Sequence, residues 1–263
     1  RWDRNENDTL EEAELEKALA DTGNYPFCTV EPNVGRVPVP DRELETIAGI
    51  AKSARIVATM LEVVDIAGLV RGASQGEGLG NRFLAQIREV DAILHMVRCF
   101  EDDQVSHVEG PIDPTRDIEL IETELMLADM ESLERQLEGV IKRARGADKE
   151  AKALQPLIEK ALEALRDGKP VRSLNLSEDE RPLLKMLHLL TAKPVLYVCN
   201  VAEQHAQGGN DKSAAVAQLA AAEGAEAVVI SAAIEAEIAA LGDAEEKRAF
   251  LEDLGLETAG LER

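Results

Sequence analysis

The stretch LEVVDIAGLVRGASQGEGLGN, residues 61–81, decides the predicted fold. An apolar run over residues 60–64 predicts a strand that ends at Asp65, and Gly68 then opens a glycine-rich loop that leads to a helix near Asn81. A carboxylate and a glycine at the carboxyl end of a parallel strand are typical of phosphate and metal sites in α/β folds. A single strand-end aspartate suits Mg²⁺, which takes few carboxylates and keeps several waters. The alternative interpretation is an ordinary turn, since many strands end in an aspartate followed by a glycine.

Composition indicates a soluble globular protein. At 263 residues and 45% hydrophobic content, the chain is long enough for one α/β domain with an insertion, or for two small domains. The formal net charge of −22 argues against nucleic-acid binding over the whole surface and against direct sequence-specific DNA recognition. A local basic patch at Lys142, Arg143 and Arg145 remains open as an exception.

Cysteine usage and hydropathy predict a cytoplasmic location. Cys28, Cys99 and Cys199 are an odd number without C-x-x-C spacing, which favours reduced thiols over a disulfide framework or a zinc site. No apolar run approaches the roughly 20 residues that span a bilayer, and no signal pattern opens the chain. We therefore expect no membrane partner. The first residue is not Met, and we expect a fragment.

The first part of the chain predicts alternating strands and helices. Proline steps rule out a regular helix before residue 41, and Phe83, Leu84 and Ile87 are expected to face inward from an amphipathic helix. The predicted elements are an edge strand near 35–39, a strand over 55–65, a helix over 81–90 with Asn81 as its N-cap, and a strand over 91–100 buried on both faces.

Apolar residues spaced by three and four then predict a helical hairpin. One long helix starts after Pro111 and ends near Gly146, and a second helix stops around Gly168, with Pro156 either kinking it or marking its first turn. A third helix is predicted after Ser177, with Glu180 as its capping-box partner, and runs to about residue 190. The last part predicts strands over 194–200 and 225–230, a helix over 214–223, and a helix that begins at about residue 235. This alternation favours a parallel sheet.

Four segments together resemble one family. They are NYPFCTVEPNVGRVPVPD (24–41), EVVDIAGLVRGASQGEGLGNRFLAQIREVDAILHMVRCF (62–100), KPVLYVCNVAE (193–203) and ISAAIEAEI (230–238). In order and spacing they are similar to the YchF group, the Obg-like ATPases within the translation-factor-related P-loop NTPases. The resemblance covers roughly residues 24–256.

The resemblance implies a fold and a domain organisation. The implied fold class is α/β, a Ras-like P-loop NTPase with a mostly parallel but incomplete sheet and an inserted α-helical hairpin. The expected division is an acidic leader over 1–23, a first part of the nucleotide-binding domain over 24–110, the hairpin over 111–190, and a truncated second part of the nucleotide-binding domain over 191–263.

The resemblance also implies the site residues. Thr29 matches the family's magnesium-binding switch threonine, Asp65 the aspartate on the metal side, and Gly68 the glycine that senses the γ-phosphate. Three residues match the base-recognition loop, and three more match the loop that backs the base: Asn200, Val201 and Glu203, and then Ser231, Ala232 and Ala233.

Two departures from the pattern of Ras-like GTPases bear on substrate and mechanism. Relatives that bind guanine use N-K-x-D, whose aspartate pairs with guanine donors that adenine lacks, whereas this chain reads Asn200-Val-Ala-Glu203 and is expected to prefer ATP. Leu69 stands where Ras-like enzymes have the water-orienting glutamine. The resemblance points instead to His95 as the catalytic residue that places the water, while a structural role inside an apolar strand is the alternative.

The implied function is that of a regulatory ATPase that binds and hydrolyses ATP with Mg²⁺, in association with the ribosome or another translation component. Two alternatives stay open: an Obg-like GTPase, and a non-catalytic interaction module that acts through the helical hairpin.

The sequence lacks one element that the resemblance requires. No G-x-x-x-x-G-K-[ST] motif precedes Asn24, and the strand that carries it is expected at the centre of the sheet, between the strands at 55–65 and 91–100. The family's TGS domain is expected beyond about residue 261. We therefore expect this P-loop-less fragment to bind ATP weakly or not at all.

Overall fold

Five strands form two sheets in the part of the chain that the structure describes. The structure is a computed structural model that describes residues 33–39, 41–66, 79–102, 111–146, 148–256 and 258–260. The strands are β1 (Asn33–Pro38), β2 (Met60–Asp65), β3 (Ile93–Arg98), β4 (Val195–Asn200) and β5 (Glu226–Ile230). Strands β1 and β2 pair antiparallel, with Asn33 opposite Asp65. Strands β3, β4 and β5 form a parallel sheet in that order.

Eight α-helices connect and cover these strands within the described residues. They are α1 (Arg42–Ala51), α2 (Leu79–Glu89), α3 (Pro114–Ala144), α4 (Lys149–Arg166), α5 (Glu180–Lys185), α6 (Asp211–Glu223), α7 (Ala232–Ala240) and α8 (Ala244–Asp253). Strands that alternate with helices confirm the predicted α/β class with a parallel sheet.

One face of the parallel sheet packs against helices α3 and α6. Tyr197 and Cys199 on β4 are fully buried there, together with Ile118 of α3 and Val216 of α6. Side chains of β3 alternate, so Val97 enters the same cluster. The apolar sequence of β4 therefore lies in the core, as predicted.

The prediction that β3 is buried on both faces is wrong for the described residues. Leu94 and Met96 are 55% and 52% exposed, whereas Val97 is 3% exposed. An apolar run predicts a strand and its period, but it does not show whether another layer covers each face.

Several element boundaries differ from their predictions. Strand β2 begins at Met60 rather than at residue 55. Helix α2 begins at Leu79, so Asn81 lies inside the helix and is not its N-cap. Helix α5 ends at Lys185 rather than near residue 190, and His188 beyond it has a φ of 50°. The capping box before α5 is confirmed, since Glu180 accepts from the Ser177 backbone N–H at 2.7 Å.

Helices α3 and α4 pack side by side along an apolar seam, as predicted. Leu133 and Val140 of α3 meet Leu154, Ile158 and Leu162 of α4 in one buried cluster. Asp113 and Asp148 cap the two helices by accepting from the backbone N–H groups of Arg116 and Ala151. Pro156 lies well inside α4, so the alternative that it marks the first turn is wrong.

A buried carboxylate fixes α3 to the chain that enters β4. Asp129 and Thr191 are both fully buried. Asp129 accepts from the Leu190 N–H at 2.9 Å, the Thr191 N–H at 2.8 Å and the Thr191 hydroxyl at 2.7 Å. Three hydrogen bonds to one charged acceptor satisfy a group that would otherwise be costly to bury.

A second buried polar cluster joins the segment after α4 to the sheet. Both terminal nitrogens of Arg172 donate to Glu122 of α3, at 3.2 and 2.9 Å, and Nη2 also donates to Glu223 at the end of α6, at 3.0 Å. Glu223 accepts a further hydrogen bond from the Tyr197 hydroxyl at 3.1 Å. Burial raises the pKa of Glu122, and the hydrogen bond from Arg172 opposes that rise. The cluster therefore connects α3, α6 and β4 through one guanidinium group.

Candidate functional site

The carboxyl edge of the parallel sheet brings together the residues predicted to bind the base. Asn200 ends β4, and its Oδ1 accepts a hydrogen bond from the Ala232 backbone N–H at 3.0 Å. The Val201 N–H donates to the carbonyl of Ile230 at 2.9 Å. Asn200 therefore holds the turn after β5 against the end of β4, and its Nδ2 donors project from the same amide group.

The turn after β5 is tightly packed. Ser231 is 2% exposed, and its hydroxyl has no hydrogen-bond partner among the described residues. Ala232 and Ala233 follow in the first turn of α7, which begins at Ala232. The three predicted residues of this loop thus lie at the end of β5, next to the end of β4.

Glu203 lies three residues beyond the end of β4, in a short 3₁₀ turn over Glu203–His205. It is exposed, whereas Val201, two residues earlier, is 2% exposed. The buried valine anchors the loop, and the carboxylate at its tip remains accessible. An exposed acidic side chain at this edge suits contact with a donor on a bound base.

Asn210 completes this edge, and the sequence analysis did not identify it. Its Nδ2 donates to the carbonyl of Cys99, just after β3, at 2.7 Å. Its Oδ1 accepts from the Ser213 N–H, and the Ser213 hydroxyl accepts from the Asn210 N–H in return. The spacing of an asparagine and a serine three residues later is the capping-box signal that would have found it.

Asp65 is the one predicted magnesium ligand among the described residues. It ends β2 and is half-buried. Burial raises the pKa of its carboxyl, and a hydrogen bond from the Asn33 side chain opposes that rise. A bound cation favours the ionised form. A lone carboxylate at a strand end therefore fits a hard cation that takes its other ligands from water and phosphate.

The other predicted residues on the phosphate side, Thr29 and Gly68, lie outside the described residues. Within the described ranges, no cluster of three or more histidine, cysteine, aspartate or glutamate side chains has the arrangement of a metal site.

His95 lies in the middle of β3, directly opposite Tyr197 of β4. The two ring centroids are 5.6 Å apart and the planes are tilted by 36°. Burial and, to a smaller extent, the charge of Arg172 lower the pKa of His95 to about 4, although the charge of Asp117 opposes the shift. The imidazole is therefore neutral near pH 7.

The structure does not bring His95 beside Asn200. In the register of the sheet, Asn200 is opposite Arg98, three residues or about 10 Å further along the strand. Successive side chains of a strand point to opposite faces, so His95 and Arg98 lie on different faces of β3.

The thiols of Cys99 and Cys199 are free and buried. A hydrogen bond to Cys199 and burial raise the pKa of Cys99, whereas that hydrogen bond lowers the pKa of Cys199. This arrangement agrees with the predicted reduced state. Cys28 lies outside the described residues.

Known proteins show the same organisation over most of the chain. A chain from Haemophilus influenzae named ribosome-binding ATPase YchF is 52% identical over 249 residues, which is 95% of this chain and 68% of that relative. The chain belongs to the YchF family. A Bacillus subtilis member of the same name is 48% identical over 251 residues, with the same coverage of 95% and 68%.

Two further comparisons place this YchF family member among the P-loop NTPases. The model of a family described as 50S ribosome-binding GTPase matches residues 9–125. A solved structure of the Schizosaccharomyces pombe YchF GTPase superposes with a TM-score of 0.74 at 33% identity, covering 98% of this chain and 74% of that one. These matches confirm the predicted Ras-like P-loop fold class. In the described residues, no helix is both long and apolar enough to cross a membrane.

Proposed function

We propose that this YchF family member is a cytoplasmic regulatory ATPase that binds and hydrolyses ATP and associates with the ribosome. The observation that carries the proposal is the hydrogen bond from Ala232 to Asn200, because it joins the two predicted base-binding loops at one edge of the sheet. The names of the relatives from H. influenzae and B. subtilis, which describe ribosome-binding ATPases, support the same function.

Adenine is the base that we propose for this edge. The amide of Asn200 is oriented by its own acceptor, which leaves Nδ2 to donate to a purine ring nitrogen. Glu203 replaces the aspartate that pairs with two guanine donors in N-K-x-D proteins, and its longer side chain changes where the carboxylate lies. Ser231, Ala232 and Ala233 support the base from the neighbouring loop.

Thr29 and Asp65 are the proposed magnesium ligands, and Gly68 is the proposed contact to the γ-phosphate. The raised pKa of Asp65 supports this assignment, since a half-buried carboxylate gains from a cation that compensates its charge. When bound, Mg²⁺ supplies charge neutralisation on the phosphate oxygens. We expect Asp65→Asn to reduce ATP turnover about tenfold or more and to raise the magnesium concentration needed for half-maximal activity.

His95 is the proposed residue that places the attacking water. A neutral imidazole at pH 7 accepts a hydrogen bond, which supports the assignment. It lies three residues, or about 10 Å along the strand, before Arg98, which is opposite Asn200. We expect His95→Ala to lower kcat and leave KM for ATP unchanged. Unchanged kcat in a folded variant would assign His95 the structural role.

GTP is the second candidate substrate. The matching family model and the S. pombe structure are both described as GTPases, which supports GTP as the alternative. Competition of ATP and GTP for a fluorescent ATP analogue, measured on this chain with Mg²⁺, discriminates between the two. We expect ATP to compete at least about tenfold better, a difference of about 1.4 kcal/mol in binding free energy.

Glu203→Asp sharpens this test, because it creates the acidic residue of the guanine motif at the same position. We expect the variant to bind GTP better relative to ATP than the parent does. His205→Asn, in the same 3₁₀ turn, is the matched control. A preference of the parent for GTP would assign the GTPase function. Failure of both nucleotides to bind at millimolar concentration would contradict the proposal for this chain and bear out the weak binding expected from the absence of a G-x-x-x-x-G-K-[ST] motif before Asn24.

A further inference from the structure

The turn between α3 and α4 concentrates positive charge in a strongly acidic protein. Residues 142–152 include five basic and two acidic residues, a net charge of +3. The formal net charge of the whole chain is −22, so the remaining residues together carry −25. The five basic residues form a surface that we call the basic tip, and all are exposed: Lys142, Arg143, Arg145, Lys149 and Lys152.

Few of these charges are neutralised by neighbours. Arg143 lies 3.7 Å from Asp148 in an exposed ion pair. The other four members of the basic tip make no ion pair with the described residues. An exposed pair contributes little, so Arg143 can exchange Asp148 for another anion at small cost. Asp148 meanwhile remains bound to the Ala151 N–H as the cap of α4.

The scaffold beneath the basic tip is rigid. Val140 on α3 is 3% exposed, and Ala151 and Leu154 on α4 are 0% and 5% exposed. These buried residues lie within one or two turns of the basic side chains. Lys142 lies in the last turn of α3 and Arg145 is the C-cap of that helix, three residues later. Lys149 and Lys152 are three residues apart in the first turn of α4, so both pairs project from ordered backbone. Preorganised charge loses less entropy on binding.

The basic tip is also remote from the place where α3 contacts the sheet. Glu122 of α3 pairs with Arg172 near the sheet, and Arg143 lies 21 residues further along the same helix. At 1.5 Å per residue, the separation is about 30 Å. A ligand at the basic tip therefore binds well away from the Arg172 cluster.

We propose that the basic tip binds the phosphate backbone of RNA on the ribosome. Exposed lysine and arginine side chains at the end of a packed helical hairpin suit contacts to phosphate that do not depend on base sequence. The acidic remainder of the surface repels RNA, so approach is directed to the tip. The inference rests on the proposed ribosome association and identifies the part of the chain that makes the contact.

The experiment measures binding of a labelled oligouridylate to the full chain by fluorescence anisotropy over a range of salt concentrations. The tip variant replaces four basic residues: Lys142→Gln, Arg143→Gln, Arg145→Gln and Lys149→Gln. The matched control replaces four exposed basic residues elsewhere: Lys169→Gln, Arg181→Gln, Lys185→Gln and Arg248→Gln. Both variants change net charge equally.

We expect the tip variant to bind RNA at least about tenfold more weakly at low salt, and the control within about twofold of the parent. The slope of log K against log salt becomes shallower by about 0.7 for each phosphate of the single strand that the variant no longer neutralises. The double variant Lys142→Gln, Arg145→Gln gives an intermediate reduction in affinity and serves where the fourfold variant has an altered circular dichroism spectrum.

Equal RNA binding by parent and tip variant would overturn the inference, as would absence of RNA binding by the parent at low salt. Polyglutamate is tested as a competitor of the labelled oligouridylate. If it displaced the label as effectively as unlabelled RNA of equal charge, that result would also overturn the inference and would favour an acidic protein partner. ATP binding is measured on the same samples. Absence of ATP binding by the parent would refute the proposed ATPase function but would leave the RNA result intact. RNA binding that is equally strong in the parent and the tip variant would refute the inference but would leave the ATPase function intact.

Discussion

The parallel sheet β3–β4–β5 carries the predicted base-binding residues, whereas the antiparallel ribbon β1–β2 carries the predicted metal ligand Asp65. In the parallel sheet, buried side chains and hydrogen bonds connect the strand ends to neighbouring loops, as Asn200 does with Ala232. In the ribbon, Met60 and Leu61 are more than half exposed, and the side chains of Arg36 and Glu62 pair at the surface. The two halves of one candidate site thus differ in how firmly the described residues hold them.

The base side of the candidate site is built by long-range contacts within the described residues. Asn210 reaches back to Cys99, and Arg172 joins Glu122 and Glu223, each across 50 residues or more. The ribbon has mainly its own ladder of hydrogen bonds between β1 and β2. Substitutions should therefore cost more near the parallel sheet than in the ribbon.

The largest effect is expected at Asp129. Asp129→Ala leaves two backbone N–H groups and one hydroxyl buried without their acceptor. We expect the free energy of unfolding to fall by about 3 to 5 kcal/mol, measured by urea denaturation. The control is Glu131→Ala on the same helix, where an exposed ion pair at 3.9 Å predicts a change below about 0.5 kcal/mol. A similar cost for both would refute the special role of the junction.

His95 should make stability depend on pH. Its pKa is lowered to about 4 in the folded state and is about 6.5 when unfolded, so the unfolded state binds more protons between these values. The stability is fully present above pH 6.5 and is lost as the pH falls towards 4. We expect the titration of His95 to lower the free energy of unfolding by about 2 kcal/mol between pH 7 and pH 5.

The measurement is the difference in unfolding free energy between pH 7 and pH 5, compared with His95→Gln. Between pH 7 and pH 5, the variant should lose about 2 kcal/mol less of its unfolding free energy than the parent, because glutamine does not titrate. An identical pH dependence of both proteins would show that His95 titrates normally in the folded state.

Substitutions of Asn200 distinguish the acceptor role of its side chain from the proposed donor role. Asn200→Asp keeps an acceptor for the Ala232 N–H but loses the amide donor, whereas Asn200→Ala loses both. We expect ATP affinity to fall about tenfold in both variants, and the unfolding free energy to fall by about 1 kcal/mol only in Asn200→Ala. Isothermal titration and urea denaturation measure the two quantities. Full ATP affinity in Asn200→Asp would exclude the amide as a base contact.

The smallest effect is expected in the ribbon. Arg36 Nε lies 3.0 Å from Glu62 Oε2, with side chains 55% and 51% exposed. Arg36→Ala, Glu62→Ala and the double variant form a cycle whose coupling energy should stay below about 0.5 kcal/mol. A coupling above about 1 kcal/mol, on the order of a buried pair, would mean that the ribbon is held more firmly than its exposure indicates.

Local periodicity explains most of the fold that the sequence predicted. The long helix over Pro114–Ala144 and the strand at Val195–Asn200 follow from apolar spacing and from a short apolar run. Helix α1 was not predicted, although Asp41 accepts from the Leu44 N–H and two glutamates follow in the first turn. Its Ile47 and Ile50 are exposed, so its apolar residues do not report a core face.

The polar contacts were beyond sequence reasoning for a different reason. Glu122 and Arg172 are 50 positions apart, and nothing in their local pattern relates them. The base-binding loops were predicted from the family resemblance, but the bond that joins Asn200 to Ala232 depends on the register of β4 with β5. The assignments of Thr29, Asp65, Gly68 and His95 remain predictions.

Helix α3 extends without interruption from Pro114 beside the sheet to Ala144 beside the basic tip. Glu122 and Asp129 anchor it near the sheet, and beyond them it projects together with α4, so the hairpin has the geometry of a lever arm. A tilt of about 5° at Glu122 moves the basic tip by roughly 3 Å, because the tip lies about 30 Å further along the helix. A change of a few degrees in the tilt of α3 at the Arg172 cluster is thus sufficient to move the basic tip by about the length of a hydrogen bond.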